Sequence, residues 1–142
     1  MKKFIIELKV RSYECDLYGH VNNAVYLNYF EAARVEFLEA IDLDLNKLKN
    51  IGFLLPIVRI EIDYKRPLFA GERIEISAEW VKRGVSSAVF RQAVIKKGTG
   101  ELAAQALVTW VATDLRGKPI AIPQIILDRT QKKFGALPKL GK

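Results

Sequence analysis

Apolar and polar residues alternate with a period of two over three stretches of this chain, and with a helical period over a fourth. In Ile57 to Lys65, Val58, Ile60, Ile62 and Tyr64 alternate with Arg59, Glu61, Asp63 and Lys65. In Arg73 to Trp80 the apolar set is Ile74, Ile76, Ala78 and Trp80, and from Leu102 to Ala112 every even position is apolar, including Val108 and Trp110. Successive side chains of a strand point to opposite faces, so each pattern predicts a strand with one face in a core and one face wet or against a partner. Phe4 to Arg11 is β-rich and predicts a first strand, and Ser86 to Lys96 alternates less cleanly. From Ala24 to about Ile41, Leu27, Phe30, Phe37, Leu38 and Ile41 recur at helical spacing, with Tyr26 and Ala33 widening the stripe. That span predicts a helix of about 27 Å whose broad apolar face lies against a sheet.

Punctuation fits the same order. Asn22 or Asn23 can cap the helix by accepting a bond from an unpaired N–H. Gly71, Gly84 and Gly98-Thr99-Gly100 fall between the strand patterns, where hairpin turns are expected. Arg116-Gly-Lys-Pro119 ends the last strand, and Ile122 to Phe134 predicts a short final helix. No repeat, linker or low-complexity tract interrupts the chain. The expectation is a single α+β domain over residues 1–142, one long helix against an antiparallel sheet of about five strands, with a short C-terminal tail from about residue 131.

Bulk properties narrow the function classes. Half of the 142 residues are apolar and none of the apolar runs reaches about 18 residues, so neither disorder nor a membrane-spanning helix is expected. The opening Met-Lys-Lys-Phe-Ile-Ile-Glu7 breaks its apolar run too early for a secretory signal and reads as strand. A single cysteine, Cys15, excludes an internal disulfide and fits a reducing cytoplasm. The net charge of +7 is spread among acids on every strand, with small clusters only at Lys132-Lys133 and the C-terminal lysines. Such a surface favours an anionic ligand over a dedicated nucleic-acid face. One histidine and one cysteine leave no set of metal ligands, so no metal and no cofactor is expected. Phosphate-binding glycine loops and the Gly-x-Ser-x-Gly elbow are absent.

The chemistry concentrates in Asp16 to Arg34. A carboxylate (Asp16), a glycine turn (Gly19), a histidine (His20) and two asparagines (Asn22, Asn23) stand directly before the long helix. This arrangement can aim an acid group and several backbone N–H donors at one carbonyl, with the helix N-terminus polarising it. Asp16 could equally cap a turn, His20 could be a structural hydrogen-bonding group, and Asn22 and Asn23 could serve only as caps. Tyr26, Tyr29 and Phe30 read as core and pocket wall, and Glu31 and Arg34 as an ion pair on the helix or across an interface. No activating group accompanies Cys15, so a cysteine nucleophile is not supported.

The run Asp16-x-x-Gly19-His20-Val21-x-Asn23-x-x-Tyr26-x-x-Tyr29-x-Glu31-x-x-Arg34, with the element order, resembles the 4-hydroxybenzoyl-coenzyme A thioesterase-like family of the hot dog fold. The overall resemblance covers about residues 4 to 130. It implies a sheet wrapped around the central helix and hydrolysis of an acyl thioester. Asp16 takes the position of the catalytic aspartate, acting as base or nucleophile, and the Asn23 N–H that of the carbonyl-polarising donor. His20 is implied as an orienter of Asp16 or of water, and Gly19, Asn22 and Tyr26 as substrate contacts. One branch of the family has a tyrosine and a histidine where this chain has Ser12 and Asn23. The Gly-His-Val-Asn-Asn wording resembles another branch that includes acyl-carrier-protein thioesterases. Acyl-coenzyme A, or else an acyl-carrier-protein, is the implied substrate, its phosphates near basic residues such as Arg59, Lys65, Arg66, Lys82 and Arg83. A homodimer or homotetramer with sites at the interface is implied too. The rival readings are a non-catalytic acyl-coenzyme A binder, a hot dog dehydratase or hydratase, which lacks its His-Phe-Pro-type segment here, and a basic nucleic-acid module.

Overall fold

A computed structural model describes residues 1–141; the last of the C-terminal lysines, Lys142, lies outside them. The strands are β1 (Phe4–Lys9), β2 (Ile57–Tyr64), β3 (Arg73–Arg83), β4 (Ser87–Lys96) and β5 (Leu102–Val111), and the helices are α1 (Val25–Ala40), α2 (Leu45–Asn50) and α3 (Gln124–Phe134). All five strands form one antiparallel sheet in the order β1-β3-β4-β5-β2. The alternating patterns of β3 and β5 face the core as expected, with Ile74, Ile76, Ala78, Trp80, Ala104, Ala106, Val108 and Trp110 buried.

Along α1 the buried face is Tyr26, Tyr29, Phe30, Ala33, Phe37 and Leu38. Its C-terminal half is held by an aromatic cluster. Phe37 stacks on Phe134 of α3 with ring centroids 4.5 Å apart, and meets Phe90 and Phe4 edge-on at 5.2 and 6.0 Å. Beside this cluster, α1, the sheet and α3 line a mainly apolar, partly open cavity of about 110 Å³ walled by Leu38, Leu55, Trp80, Phe90, Trp110 and Ile126, among others.

Four features depart from the sequence expectations. Strand β2 pairs only with β5, at the sheet edge, and Val58 and Tyr64 remain 59% and 50% exposed, so its alternation buries no face within one chain. Because β2 and β3 are not neighbours, Gly71 does not turn a hairpin; it sits at φ +90° in a crossing connection and donates its N–H to the Val10 carbonyl. Glu31 and Arg34 form no ion pair: the Arg34 guanidinium donates instead to Oε1 of the wholly buried Gln92 at 2.9 Å. Burial holds the Arg34 pKa below its usual range, and Glu31 offsets this only in part. Finally, α2 adds a helix that no sequence pattern marks, although Asp44 caps it by accepting the Lys47 N–H at 2.9 Å.

Candidate functional site

Residues 10–24 form a compact entry to α1. Val10 is buried, and a single 3-10 turn, Ser12–Glu14, turns the chain. Glu14 then folds inward as a buried carboxylate. Its Oε1 accepts the Arg11 N–H at 2.7 Å and the Tyr29 hydroxyl at 3.0 Å, and the Arg11 guanidinium lies 3.1 Å from Oε2. A buried acid held by three partners meets the demand that a desolvated charge be hydrogen-bonded. Burial, then the bond to Glu14, pushes the Tyr29 hydroxyl far above the usual tyrosine range. The Glu14 carbonyl accepts the Asn22 N–H at 3.0 Å, so the same residue ties both ends of the loop that follows.

Between those ties lies the turn Asp16 to Gly19. The Gly19 N–H donates to the Asp16 carbonyl, and the Asp16 N–H to the His20 carbonyl, each at 3.0 Å. Gly19 has φ +83°, a left-handed conformation that a side chain would strain. One carboxylate oxygen of Asp16 accepts the Tyr18 N–H at 2.9 Å, and its other oxygen has no partner among the described residues. The His20 imidazole forms no hydrogen bond to Asp16 among them. Its ring stacks on Tyr18 at 5.9 Å and meets the edge of Phe69 at 6.3 Å. Tyr18 and Leu17 are themselves almost wholly exposed.

The helix start differs from the expected cap. Asn22 Oδ1 accepts the Ala24 N–H at 2.9 Å and the Asn22 carbonyl accepts the Val25 N–H, so the cap-like bond falls just before α1 and belongs to Asn22. The Asn23 N–H finds no acceptor among the described residues. Its carbonyl is gripped by the Tyr64 hydroxyl of β2 at 2.8 Å, and the Tyr64 ring meets Tyr26 edge-on at 5.1 Å. Burial, then the neighbouring Tyr64 and Glu72, raises the Tyr26 hydroxyl to about 12.

These residues converge on one open groove of about 480 Å³, lined by Asp16, Tyr18, His20, Asn23, Tyr26 and Tyr64, with Lys65 and Arg66 on its rim side. Asp16, Asn23, Lys65 and Arg66 all line this one opening, and the Arg66 guanidinium also lies 3.6 Å from the Glu101 carboxylate. Gly19 shapes the turn and Asn22 the helix entry without lining the groove. Of the other basic candidates, Arg59 pairs with Glu61 on the exposed strand, and Lys82 and Arg83 sit at the far end of β3, where Arg83 donates to the Pro138 carbonyl at 2.8 Å. Sequence reading overlooks Glu14 and Tyr64 as groups that brace the site. Their partners lie 15 and 41 residues away, and no local spacing reveals such a pairing. Cys15 is a half-buried free thiol, and among the described residues no acid, histidine and cysteine cluster could hold a metal.

Comparison with known proteins shows the family. The family model of the thioesterase-like superfamily matches residues 10–130. The long-chain acyl-CoA thioesterase FadM of Escherichia coli is 35% identical over 111 residues, covering 78% of this chain and 83% of its own. The acyl-acyl carrier protein thioesterase ATL3 of Arabidopsis thaliana chloroplasts is 33% identical over 85% of this chain and 64% of its own. Among solved structures, a thioesterase of Thermus thermophilus complexed with coenzyme A and zinc superposes with a TM-score of 0.80 at 32% identity, covering 93% of this chain and 94% of that one. With its sheet of five strands wrapped on α1 and its groove at the helix start, the chain belongs to the thioesterase-like superfamily and is a thioester hydrolase of the hot dog fold.

Proposed function

We propose that this protein hydrolyses acyl-coenzyme A thioesters, with Asp16 as base or nucleophile and the Asn23 N–H as the donor to the developing oxyanion. The observation that carries the reading is that one groove is lined by both residues: Asp16, whose carboxylate keeps one free oxygen, and Asn23, whose N–H has no acceptor among the described residues. Attack on the thioester carbonyl places negative charge on its oxygen, which a fixed N–H at a helix N-terminus stabilises. Collapse then breaks the C–S bond and expels thiolate, a leaving group that needs no strong acid. As base, Asp16 takes the proton of the attacking water; as nucleophile, it forms an anhydride that water cleaves. His20 borders the groove and orients water, and Tyr26 forms its floor with Gly19 and Asn22 shaping the entry. Lys65 and Arg66 are the cations best placed for coenzyme A phosphates.

An acyl-carrier-protein is the second reading. The likeness to ATL3 and the net charge of +7, which suits an acidic carrier, support it. Assembly follows from β2: its outer edge is unpaired, and Ile57, Val58, Ile60 and Tyr64 are exposed together, so a second copy pairing there would bury them. That exposed edge supports a homodimer or homotetramer as the working state, and the proposed location is the cytoplasm. No helix among the described residues is long and apolar enough to cross a membrane.

Thiol release from short, long and aromatic acyl-coenzyme A esters tests the assignment. Asp16→Asn should lower turnover by about 10²–10⁴-fold, the usual weight of a positioned base. Near-normal turnover in that variant would remove Asp16 from the mechanism. Cleavage of acyl-carrier-protein alone would select the second reading, and light scattering reports the assembly.

A further inference from the structure

Packing does not hold the turn that carries Asp16. Leu17 and Tyr18 at its tip are almost wholly exposed, and its own bonds, Gly19 to Asp16 and Asp16 to His20, close it on itself. Such a turn can pivot as a unit unless its base is fixed. The base narrows at a Cys15–Val21 bridge, and among the described residues two hydrogen bonds fasten it to the body of the protein. The Val21 N–H donates to the Leu68 carbonyl at 2.8 Å, and the Glu14 carboxylate accepts the Tyr29 hydroxyl at 3.0 Å. Tyr29 belongs to α1, the helix whose start presents the Asn23 N–H. Glu14 thus stands two residues before Asp16 and bonds that helix through its side chain, while its carbonyl holds the N–H of Asn22.

Stability alone gives no reason for a charge at this position. Glu14 is only 6% exposed, and apolar side chains of similar shape bury as well as or better than an ion pair. What a carboxylate supplies that a leucine does not is direction. The Arg11 N–H and guanidinium hold it from one side and Tyr29 from the other. Tyr29 reaches the second half of the site as well: its ring meets Tyr26 edge-on at 5.9 Å, Tyr26 meets Tyr64, and the Tyr64 hydroxyl holds the Asn23 carbonyl. Glu14 itself does not line the groove. We propose that Glu14 and Tyr29 are positioning residues for thioester hydrolysis, their bond setting the Asp16 carboxylate against the Asn23 N–H. The inference rests on the roles of Asp16 and Asn23 proposed above.

The test separates geometry from stability. Glu14→Leu combined with Tyr29→Phe replaces both partners by apolar groups of similar shape, so the urea midpoint should stay close to wild type. For an acyl-coenzyme A ester, kcat should nonetheless fall by about tenfold or more with KM within about twofold, because a displacement near 1 Å is that costly. Glu14→Gln keeps an oxygen for the Tyr29 hydroxyl and should retain most of the rate; a loss as large as in the double variant would overturn the positioning role. Because the pair acts through Asp16, the double substitution should cost little more when added to Asp16→Asn. A smaller fall in kcat in the folded double variant, or a fall that persists in full beside Asp16→Asn, would also overturn it. Tyr29→Phe alone, which keeps the ring, is held to the same criterion should the double variant not fold. Near-normal turnover of Asp16→Asn would sink the parent reading and this inference with it, whereas an inactive Asp16→Asn beside an unimpaired Tyr29→Phe would sink the inference alone.

Discussion

The two ends of α1 are built from different materials. Its N-terminal end is held by directional bonds: Asn22 to Ala24, Tyr64 to the Asn23 carbonyl, and Tyr29 and Arg11 to Glu14. Its C-terminal half is held by volume, with Phe37 between Phe4, Phe90 and Phe134. Directional bonds fix angles and leave a groove open to water. Close packing fixes nothing so exact but supplies most of the stability. On the proposed assignment the chemistry sits where orientation is controlled, and the fold is secured away from it.

Substitutions at the two ends should separate these roles. Asp16→Asn should abolish most turnover and leave the denaturant midpoint near wild type. Phe37→Ala should cost about 3–5 kcal/mol of stability, measured by urea unfolding, because the site cannot collapse around the lost ring. A destabilising Asp16→Asn would erase the contrast. Alkaline pH offers a narrower probe of the N-terminal end. The Tyr26 hydroxyl, raised to about 12, stays protonated in the native state where an unfolded tyrosine, near 10, would ionise. The native state then binds more protons between pH 10 and 12, so stability is intact below pH 10 and falls across that window by about 2–3 kcal/mol. Tyr29, raised further still, adds its own decline above pH 10, so Tyr26→Phe should lessen the fall without abolishing it, as read from urea midpoints against pH. Smallest in stability is Tyr64→Phe, which removes one hydrogen bond worth about 1 kcal/mol but frees the Asn23 carbonyl. Its expected signature is a lower kcat at nearly unchanged KM, and a change in KM alone would argue that Tyr64 merely lines the groove.

Much of this is legible along the chain because periodicity is local. The patterns of β3, β5 and α1 name their own buried faces, and the Asp16 to Arg34 run sets its groove-facing groups within a few residues of one another. What escapes is set by distance or by shortness. Arg34 reads as the partner of Glu31 or of a group across an interface, yet within the chain it bonds Gln92, 58 residues on. The period of β2 marks a strand but not its place at the sheet edge, where most of its side chains stay exposed. Six residues of α2 are too few for a helical stripe, and only Asp44 hints at it.

The strand order also bears on how the molecule comes together. Strands β3, β4 and β5 are successive neighbours, whereas β1 must wait for β3 and β2 for β5, each far along the chain. Closing such loops is slow compared with zipping adjacent hairpins, so the meander is the natural nucleus and the two edge strands dock afterwards. Pulse-labelled hydrogen exchange during refolding should find the β3–β5 amides protected before those of β2; simultaneous protection would contradict this order. Because Tyr64 reaches Asn23 from β2, the proposed oxyanion donor is set in place by the late-arriving strand, and on that assignment the newly folding chain acquires its shape before it acquires its activity.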